Sequence, residues 1–201
     1  MLTTTFLLAL SACTLAQDLP SPLLPWEITG LSTFSPSGRP GNSPYSSLFV
    51  AITDPNTIPF PSPASFQGPA ISLPPISANC SVRWNAYTEQ PFGWLTPCAD
   101  VAPGSGRWTV EMVKGNATAE GPSATRDFRV KIVLERSMIL HTGRGILSLV
   151  FEGEGAFSLG KELRMVCGGS GVCSLGLKEG TSPVLVRQVL RERKCVYGEC
   201  E

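Results

Sequence analysis

The chain has 201 residues, of which 16 are basic and 16 are acidic, so its formal net charge at pH 7 is zero. A balanced charge without a dense basic stretch disfavours binding to nucleic acid or to an anionic membrane surface. The length suits one domain with insertions better than two domains with separate cores.

The first sixteen residues form an uncharged apolar run that ends in small residues, which is typical of a secretory signal peptide cleaved after Ala16. The run is too short to cross a hydrocarbon core, which needs about 20 apolar residues. A lipoprotein signal at Leu10–Cys13 is the rival interpretation, but such signals normally begin with Lys or Arg. We therefore expect a secreted, extracellular protein without a membrane anchor, with a β-rich domain over residues 17–190 and a charged, solvated tail over residues 191–201.

Thirteen of the eighteen prolines lie between residues 17 and 78, which excludes long helices there. Trp26–Thr29 and Ser46–Ile52 alternate apolar and polar residues, and they predict two strands in this region. Residues 53–78 show no clear periodicity, and we interpret them as a Pro-rich insertion loop that is either functional or disordered.

Regular alternation begins after residue 79 and predicts a series of short strands. The clearest is Phe128–Leu134, in which apolar residues alternate with Arg129 and Lys131. A helix start at Ser182-Pro183 competes with a strand after it, but Val-Leu-Val favours the strand. About eight or nine short strands with Gly-rich turns predict an all-β fold, a single antiparallel sandwich or barrel. The further strands cover Cys80–Asn85, Trp108–Met112, Ile146–Phe151, Leu163–Cys167, Val172–Leu177 and Val184–Leu190.

Six cysteines follow the leader, an even number that indicates disulfides rather than thiol chemistry. Six cysteines allow fifteen connectivities, and the sequence does not choose among them. A single histidine and the lack of Cys-x-x-Cys spacing give a metal site little support, and no cofactor motif occurs. Spacing alone suggests three bridges, Cys80–Cys98, Cys167–Cys173 and Cys195–Cys200.

Two asparagines, Asn79 and Asn116, match the N-glycosylation pattern Asn-x-Ser/Thr. Asn116 lies in a polar, glycine-containing loop that suits an acceptor. Asn79 precedes Cys80, which could form its bridge before the asparagine is modified. We therefore expect glycosylation at Asn116 only.

No catalytic constellation is evident. A serine hydrolase would have to use His141, but no Gly-x-Ser-x-Gly motif accompanies it. Glu152 and Glu154 would lie about 7 Å apart on one strand face, a separation that an inverting glycosidase tolerates. Alternating glutamates on the wet side of a strand are ordinary, however. We expect no enzymatic activity, and a small hydrolase using these two carboxylates is the last alternative.

The loop Tyr87–Trp94, between Cys80 and Cys98, contains three aromatic residues, Tyr87, Phe92 and Trp94. Aromatic rings offer large contact areas, so the loop could stack on sugar rings or serve as a protein-binding hot spot. Packing of the same rings over the Cys80 strand is the alternative interpretation.

In order and pattern, five segments resemble small secreted proteins of filamentous fungi and, more distantly, the Alt a 1-like allergens: Trp26–Ser32, Ser43–Ser46, Thr53–Asn56, Asn79–Trp84 and Cys167–Cys173. That resemblance implies a disulfide-bonded β-barrel that interacts with plant hosts. The chain departs from the allergens in its Pro-rich stretch at 53–78 and in Cys195 and Cys200, so no functional residue is transferred.

Secretion, paired cysteines and this resemblance together favour a non-enzymatic fungal effector or elicitor. Its expected partner is a host protein or a cell-wall polysaccharide. A carbohydrate- or wall-binding module that uses the aromatic loop is the closest alternative.

Overall fold

The structure is a computed structural model that describes residues 22–59, 72–100, 106–115, 123–139 and 145–198. The predicted leader at 1–16, the glycosylation acceptor Asn116, His141 and Cys200 lie outside these ranges. Fourteen strands form the described part: β1 Trp26–Ser35, β2 Tyr45–Asp54, β3 Ile58–Pro59, β4 Ser72–Leu73, β5 Ile76–Asn85, β6 Leu95–Pro97, β7 Ala99–Asp100, β8 Arg107–Lys114, β9 Asp127–Ile139, β10 Gly145–Ser158, β11 Leu163–Cys167, β12 Cys173–Leu177, β13 Val184–Val186 and β14 Gln188–Gly198.

The strands form two main antiparallel sheets. In the first sheet the order is β11-β12-β1-β2-β5-β7, and β13 also pairs with β1. In the second sheet the order is β14-β10-β9-β8-β6, and β3 and β4 form a separate short ladder. The predicted all-β antiparallel class is confirmed. The strand number was underestimated, because strands of two or three residues carry too little periodicity to be recognised.

Alternation along the strands places one continuous hydrophobic core between the two sheets. Phe128, Val130, Ile132 and Leu134 of β9 are fully buried, as the sequence pattern predicts. Trp26 of the first sheet meets Trp108 of the second edge to face, with ring centroids 5.3 Å apart. These two indoles therefore join the sheets across the core.

At two corners the chain passes directly from one sheet to the other. Cys98 follows β6 of the second sheet and precedes β7 of the first, and it is bonded to Cys80 of β5. At the other corner Arg187 separates β13 from β14, so the chain again changes sheet. The predicted Val184–Leu190 strand is therefore a strand, as expected, but it is divided between the sheets.

The other two expected disulfides involve the β11–β12 hairpin and the edge strand β14. Cys167 and Cys173 are bonded and face each other in the register of the β11–β12 hairpin. Cys195 of β14 is also disulfide-bonded.

The prediction of an insertion loop over residues 53–78 is wrong at both ends of that range. Residues 53 and 54 complete β2, and residues 76–78 begin β5, with β3 and β4 between them. Side-chain hydrogen bonds, rather than a periodic apolar pattern, order this segment. Asn56 accepts from the Leu24 backbone N–H and donates to the Leu24 carbonyl, both at 2.9 Å. The Asp54 carboxylate accepts from the Asn56 amide at 2.6 Å.

The prediction of a solvated tail after residue 190 is also wrong. Residues 191–198 continue β14, which pairs with β10 from Gly145 to Gly153. The run Arg191–Lys194 is charged because β14 is an edge strand with exposed side chains, and charges are common on such edges.

Candidate functional site

The three aromatic residues of the predicted binding loop lie in different environments. Tyr87 is 61% exposed, whereas Phe92 packs against the core and bridges to Met112 of β8. Trp94 is 39% exposed and lies just before β6, an edge of the second sheet. The loop crosses from β5 toward the second sheet, so successive rings are distributed along the crossing.

Tyr87 borders an open groove of about 380 Å³ at one end of the sandwich. Three segments form its walls: the end of β1 and the following loop, the turn after β5, and the turn before β9. Ser46 and Trp84, both buried, contribute to its lining at the ends of β2 and β5. Neither Phe92 nor Trp94 lines this groove. The volume lies within the range of small-molecule sites.

The turn after β5 is held by hydrogen bonds of its own side chains. Asn85 Oδ1 accepts from the Tyr87 N–H at 3.0 Å, and Glu89 Oε2 accepts from the Asn85 N–H at 2.5 Å. The Glu89 N–H donates to the Asn85 carbonyl at 3.0 Å. These bonds fix the backbone that carries Tyr87 and leave Glu89 Oε1 outside the turn network.

The Tyr87 side chain reaches across to the loop after β1. Its hydroxyl lies 3.4 Å from the position that a Cβ on Gly38 would occupy. Gly38 has a φ of +74°, a left-handed conformation that favours glycine. The phenol therefore spans the gap between two walls of the groove, and the glycine provides both the bend and the space.

Hydroxyl groups on the β1 side of the groove have defined roles. Ser37 Oγ accepts from the Arg39 N–H at 3.3 Å and from the Asn42 amide at 2.6 Å. Since a hydroxyl has two acceptor lone pairs and one proton, these two bonds leave the Ser37 proton available for donation. Ser35 Oγ donates to Thr125 Oγ1 at 3.2 Å, so Ser35 keeps its lone pairs. One edge of the groove thus presents a donor beside an acceptor.

Charge in the groove is low. Glu89 is the only carboxylate among the residues that line it, all of which are described, and no lysine or arginine is among them. The Tyr87 phenol, the Trp84 indole N–H, the Gln90 amide and five aliphatic hydroxyls supply the other side-chain polar groups; the hydroxyls belong to Ser35, Ser37, Ser46, Ser123 and Thr125. An exposed aromatic ring beside many hydroxyls suits an uncharged ligand that is itself rich in hydroxyls.

Most of these polar residues could not be identified from the sequence. Ser35, Glu89 and Thr125 belong to segments far apart in the chain, and they come together only through strand pairing in the first sheet and the packing of the two sheets. The Asn-x-x-x-Glu spacing of the Asn85–Glu89 turn was the one local signal that could have identified a fixed turn beside Tyr87.

The glutamate pair considered for hydrolysis lies on the outer face of the second sheet. Glu152 Oε1 is 3.6 Å from Lys131 Nζ and 3.3 Å from Arg191 Nη2. Glu154 Oε1 is 2.7 Å from Arg129 Nη1. Each carboxylate is thus already ion-paired with cross-strand cations, as expected of a solvated sheet face.

A second cavity, of about 430 Å³, lies where β9 and β10 meet the turn before β11. It contains two carboxylates, Asp127 and Glu162. Glu162 Oε2 accepts from the Ser158 backbone N–H at 3.1 Å, so this side chain closes the turn that connects β10 to β11.

In the described ranges, no group of three or more His, Cys, Asp or Glu side chains could hold a metal ion. The same ranges contain no helix that is long and apolar enough to cross a membrane. Comparison with protein-family models, with curated proteins and with solved structures finds no match to this chain.

Proposed function

We propose that this chain is a secreted fungal protein that binds a cell-wall polysaccharide through the groove beside Tyr87, and that it acts without enzymatic turnover. The observation that carries the proposal is the composition of the groove: an exposed phenol ring, five hydroxyls and a single carboxylate around about 380 Å³. Sugar rings stack their C–H faces on aromatic rings and exchange hydrogen bonds with hydroxyl, amide and carboxylate groups.

The disulfides support the secreted part of the proposal, because such bonds persist in oxidising compartments. The uncharged, apolar leader at 1–16 and an N-linked glycan on Asn116 belong to the same proposal. The resemblance to secreted fungal proteins that interact with plant hosts supports an effector role at the host wall.

A hydrolase that uses Glu152 and Glu154 is the alternative to simple binding. The ion pairs to Lys131, Arg191 and Arg129 favour a structural role for both carboxylates. Neither residue lines a described groove. The two functions differ in one observable, since only a hydrolase releases soluble sugar.

The test is a depletion assay of the purified protein against insoluble chitin, β-glucan and plant wall material, with soluble sugar measured in the same tubes. We expect at least one material to retain the wild-type protein without release of sugar. Tyr87→Ala is expected to weaken retention about tenfold, the effect of one aromatic contact. Thermal unfolding monitored by circular dichroism checks that each variant is folded.

Trp94→Ala is the matched control, because Trp94 is an exposed aromatic residue of the same loop that does not line the groove. This variant is expected to be retained like the wild type. Equal retention of Tyr87→Ala and wild type would exclude the groove as the binding site. Release of sugar would instead establish the hydrolase.

A further inference from the structure

One sequence motif has no role in the proposed function, the glycosylation pattern Asn79-Cys80-Ser81 in the middle of β5. Side chains alternate along a strand, so the middle residue points to the opposite side of the sheet from the other two. Cys80 is buried at 1% exposure, whereas Asn79 and Ser81 are exposed on the outer face of the first sheet. The amide and the hydroxyl that the pattern requires therefore both lie on the solvent side of the strand.

The surroundings of Asn79 leave room for a bulky group. In the strand register Ala51 of β2 and Ala99 of β7 stand on either side of Asn79. Gly30 of β1 in turn stands beside Ala51. These four positions form a row across the sheet in which Asn79 is the only side chain larger than a methyl group. A glycan, which is bulky and needs an open surface, can leave the sheet here without displacing a neighbouring side chain.

The side-chain amide of Asn79 is not used by the fold. It makes no hydrogen bond to any of the residues that the structure describes. Asn56 differs, since its amide donates to the Leu24 carbonyl at 2.9 Å and to Asp54 Oδ1 at 2.6 Å. A glycan on Asn79 therefore breaks no hydrogen bond of the described fold.

Early bridging of Cys80, which argues against Asn79 as an acceptor, is limited by the position of the bridging partner. Cys80 is the first cysteine after the predicted leader, and its partner Cys98 follows it by 18 residues. At a synthesis rate of about 5–20 residues per second, Cys98 emerges about 1–4 s after Cys80. During this interval the pattern is unbridged and accessible. In the folded chain the bridge lies toward the core and Asn79 lies toward solvent.

We propose that Asn79 carries an N-linked glycan on the outer face of the first sheet, in addition to the glycan expected on Asn116. This inference rests on the proposed function in one respect, since the chain must enter the secretory route. The attachment forms a bond between Asn79 Nδ2 and the anomeric carbon of the first sugar of a lipid-linked oligosaccharide pyrophosphate. The bond from that carbon to the pyrophosphate breaks, the amide loses one proton, and the lipid pyrophosphate leaves with the bonding electrons.

The attachment point lies away from the groove proposed as the polysaccharide site. Trp84, which lines the groove, follows Asn79 by five residues on β5, about 17 Å along the strand. The glycan is therefore attached at a different part of the molecule from the one that binds the polysaccharide.

The test is secretion of the chain from a yeast host with its own leader. The secreted protein is treated with peptide N-glycosidase in heavy-oxygen water, which converts each glycan-bearing asparagine to a labelled aspartate, and its peptides are analysed by mass spectrometry. We expect the label at position 79, and we expect Asn79→Gln to lose one glycan from its intact mass. Ser81→Ala is expected to lose the same glycan, because the hydroxyl of the pattern is removed while Asn79 remains.

Ser81→Thr is the matched control, because threonine at the same position keeps the pattern. It is expected to retain the glycan, which separates loss of the pattern from any disturbance of β5. An unlabelled Asn79 in secreted wild-type protein would overturn this inference alone. Wild-type protein that stays in the cells with residues 1–16 still attached would overturn the secreted part of the proposed function as well.

Discussion

At the scale of single residues, the most constrained group is the buried carboxylate of Asp54. One of its oxygens accepts hydrogen bonds from the Asn56 N–H at 3.1 Å, the Asn56 amide at 2.6 Å and the Gln188 amide at 3.2 Å. Gln188 also donates to the Leu24 carbonyl at 2.8 Å. Asp54 therefore connects the start of the domain, the end of β2 and the start of β14.

Arg136 of β9 is buried close enough to this cluster to interact with it. Burial lowers the pKa of Arg136 from its usual value, and the nearby Asp54 carboxylate opposes that shift. For a basic group, a lowered pKa in the folded state means that the protonated form is less stable there than in the unfolded chain. The free-energy cost of burying protonated Arg136 is therefore present across neutral pH, and the Asp54 carboxylate reduces it.

Replacement of Asp54 tests this cluster. Asp54→Ala removes the charge and leaves the Asn56 and Gln188 donors without their acceptor, so we expect it to lower the free energy of unfolding by about 3–5 kcal/mol. Asp54→Asn keeps one carbonyl acceptor, removes the charge and replaces the second oxygen by an NH2 group, so its expected loss is smaller, about 1–3 kcal/mol. Urea unfolding at pH 7 measures both. Variants as stable as wild type would show that Asp54 does not support Arg136.

At the scale of elements, β14 is the least expected feature of the fold. It covers one edge of β10 over the whole length from Gly145 to Gly153. Without it, β10 would become an exposed edge with a row of unpaired backbone groups, a template for aggregation. With β14 present, β14 itself is the edge strand of the sheet, and its charged residues disfavour pairing with another chain.

Deletion of residues 191–201 distinguishes a sheet strand from a solvated tail. We expect the deletion to lower the melting temperature by more than about 10 °C, because each lost kcal/mol shifts a domain of this size by about 2–4 °C. Light scattering should also detect aggregation. The matched control is the full-length chain with Cys195 and Cys200 replaced by Ser, which keeps the strand and removes the disulfide of Cys195. A deletion variant that melts like this control would restore the solvated-tail interpretation.

The sequence was sufficient for strands with clear alternation, such as β9, and for the two bridges that close short loops. It failed for β14 because an edge strand exposes both faces and so loses the period of two. It failed around Asp54 because this segment is ordered by side-chain hydrogen bonds, which leave no periodic pattern. The groove could not be predicted, since Ser35 and Thr125 come into contact only when the two sheets pack together.

At the scale of the whole molecule, the sandwich separates structural from recognition surfaces. The second sheet is stabilised on its outer face by ion pairs such as Arg129–Glu154. The outer face of the first sheet carries Glu27, Arg83 and Arg164, and the groove lies at the ends of β1, β2 and β5.

The groove beside Tyr87 as the glycan site is the central claim, and NMR titration of the ¹⁵N-labelled protein with soluble chitin, β-glucan and cellulose oligosaccharides tests it most directly. We predict that one of these sugars shifts the amide signals of residues 35, 37, 38, 86–90 and 123–125, and leaves those of Trp94 and of Glu152 unchanged. Shifts confined to Trp94 or to the Glu152 face, or no shift with any of the three sugars, would contradict it.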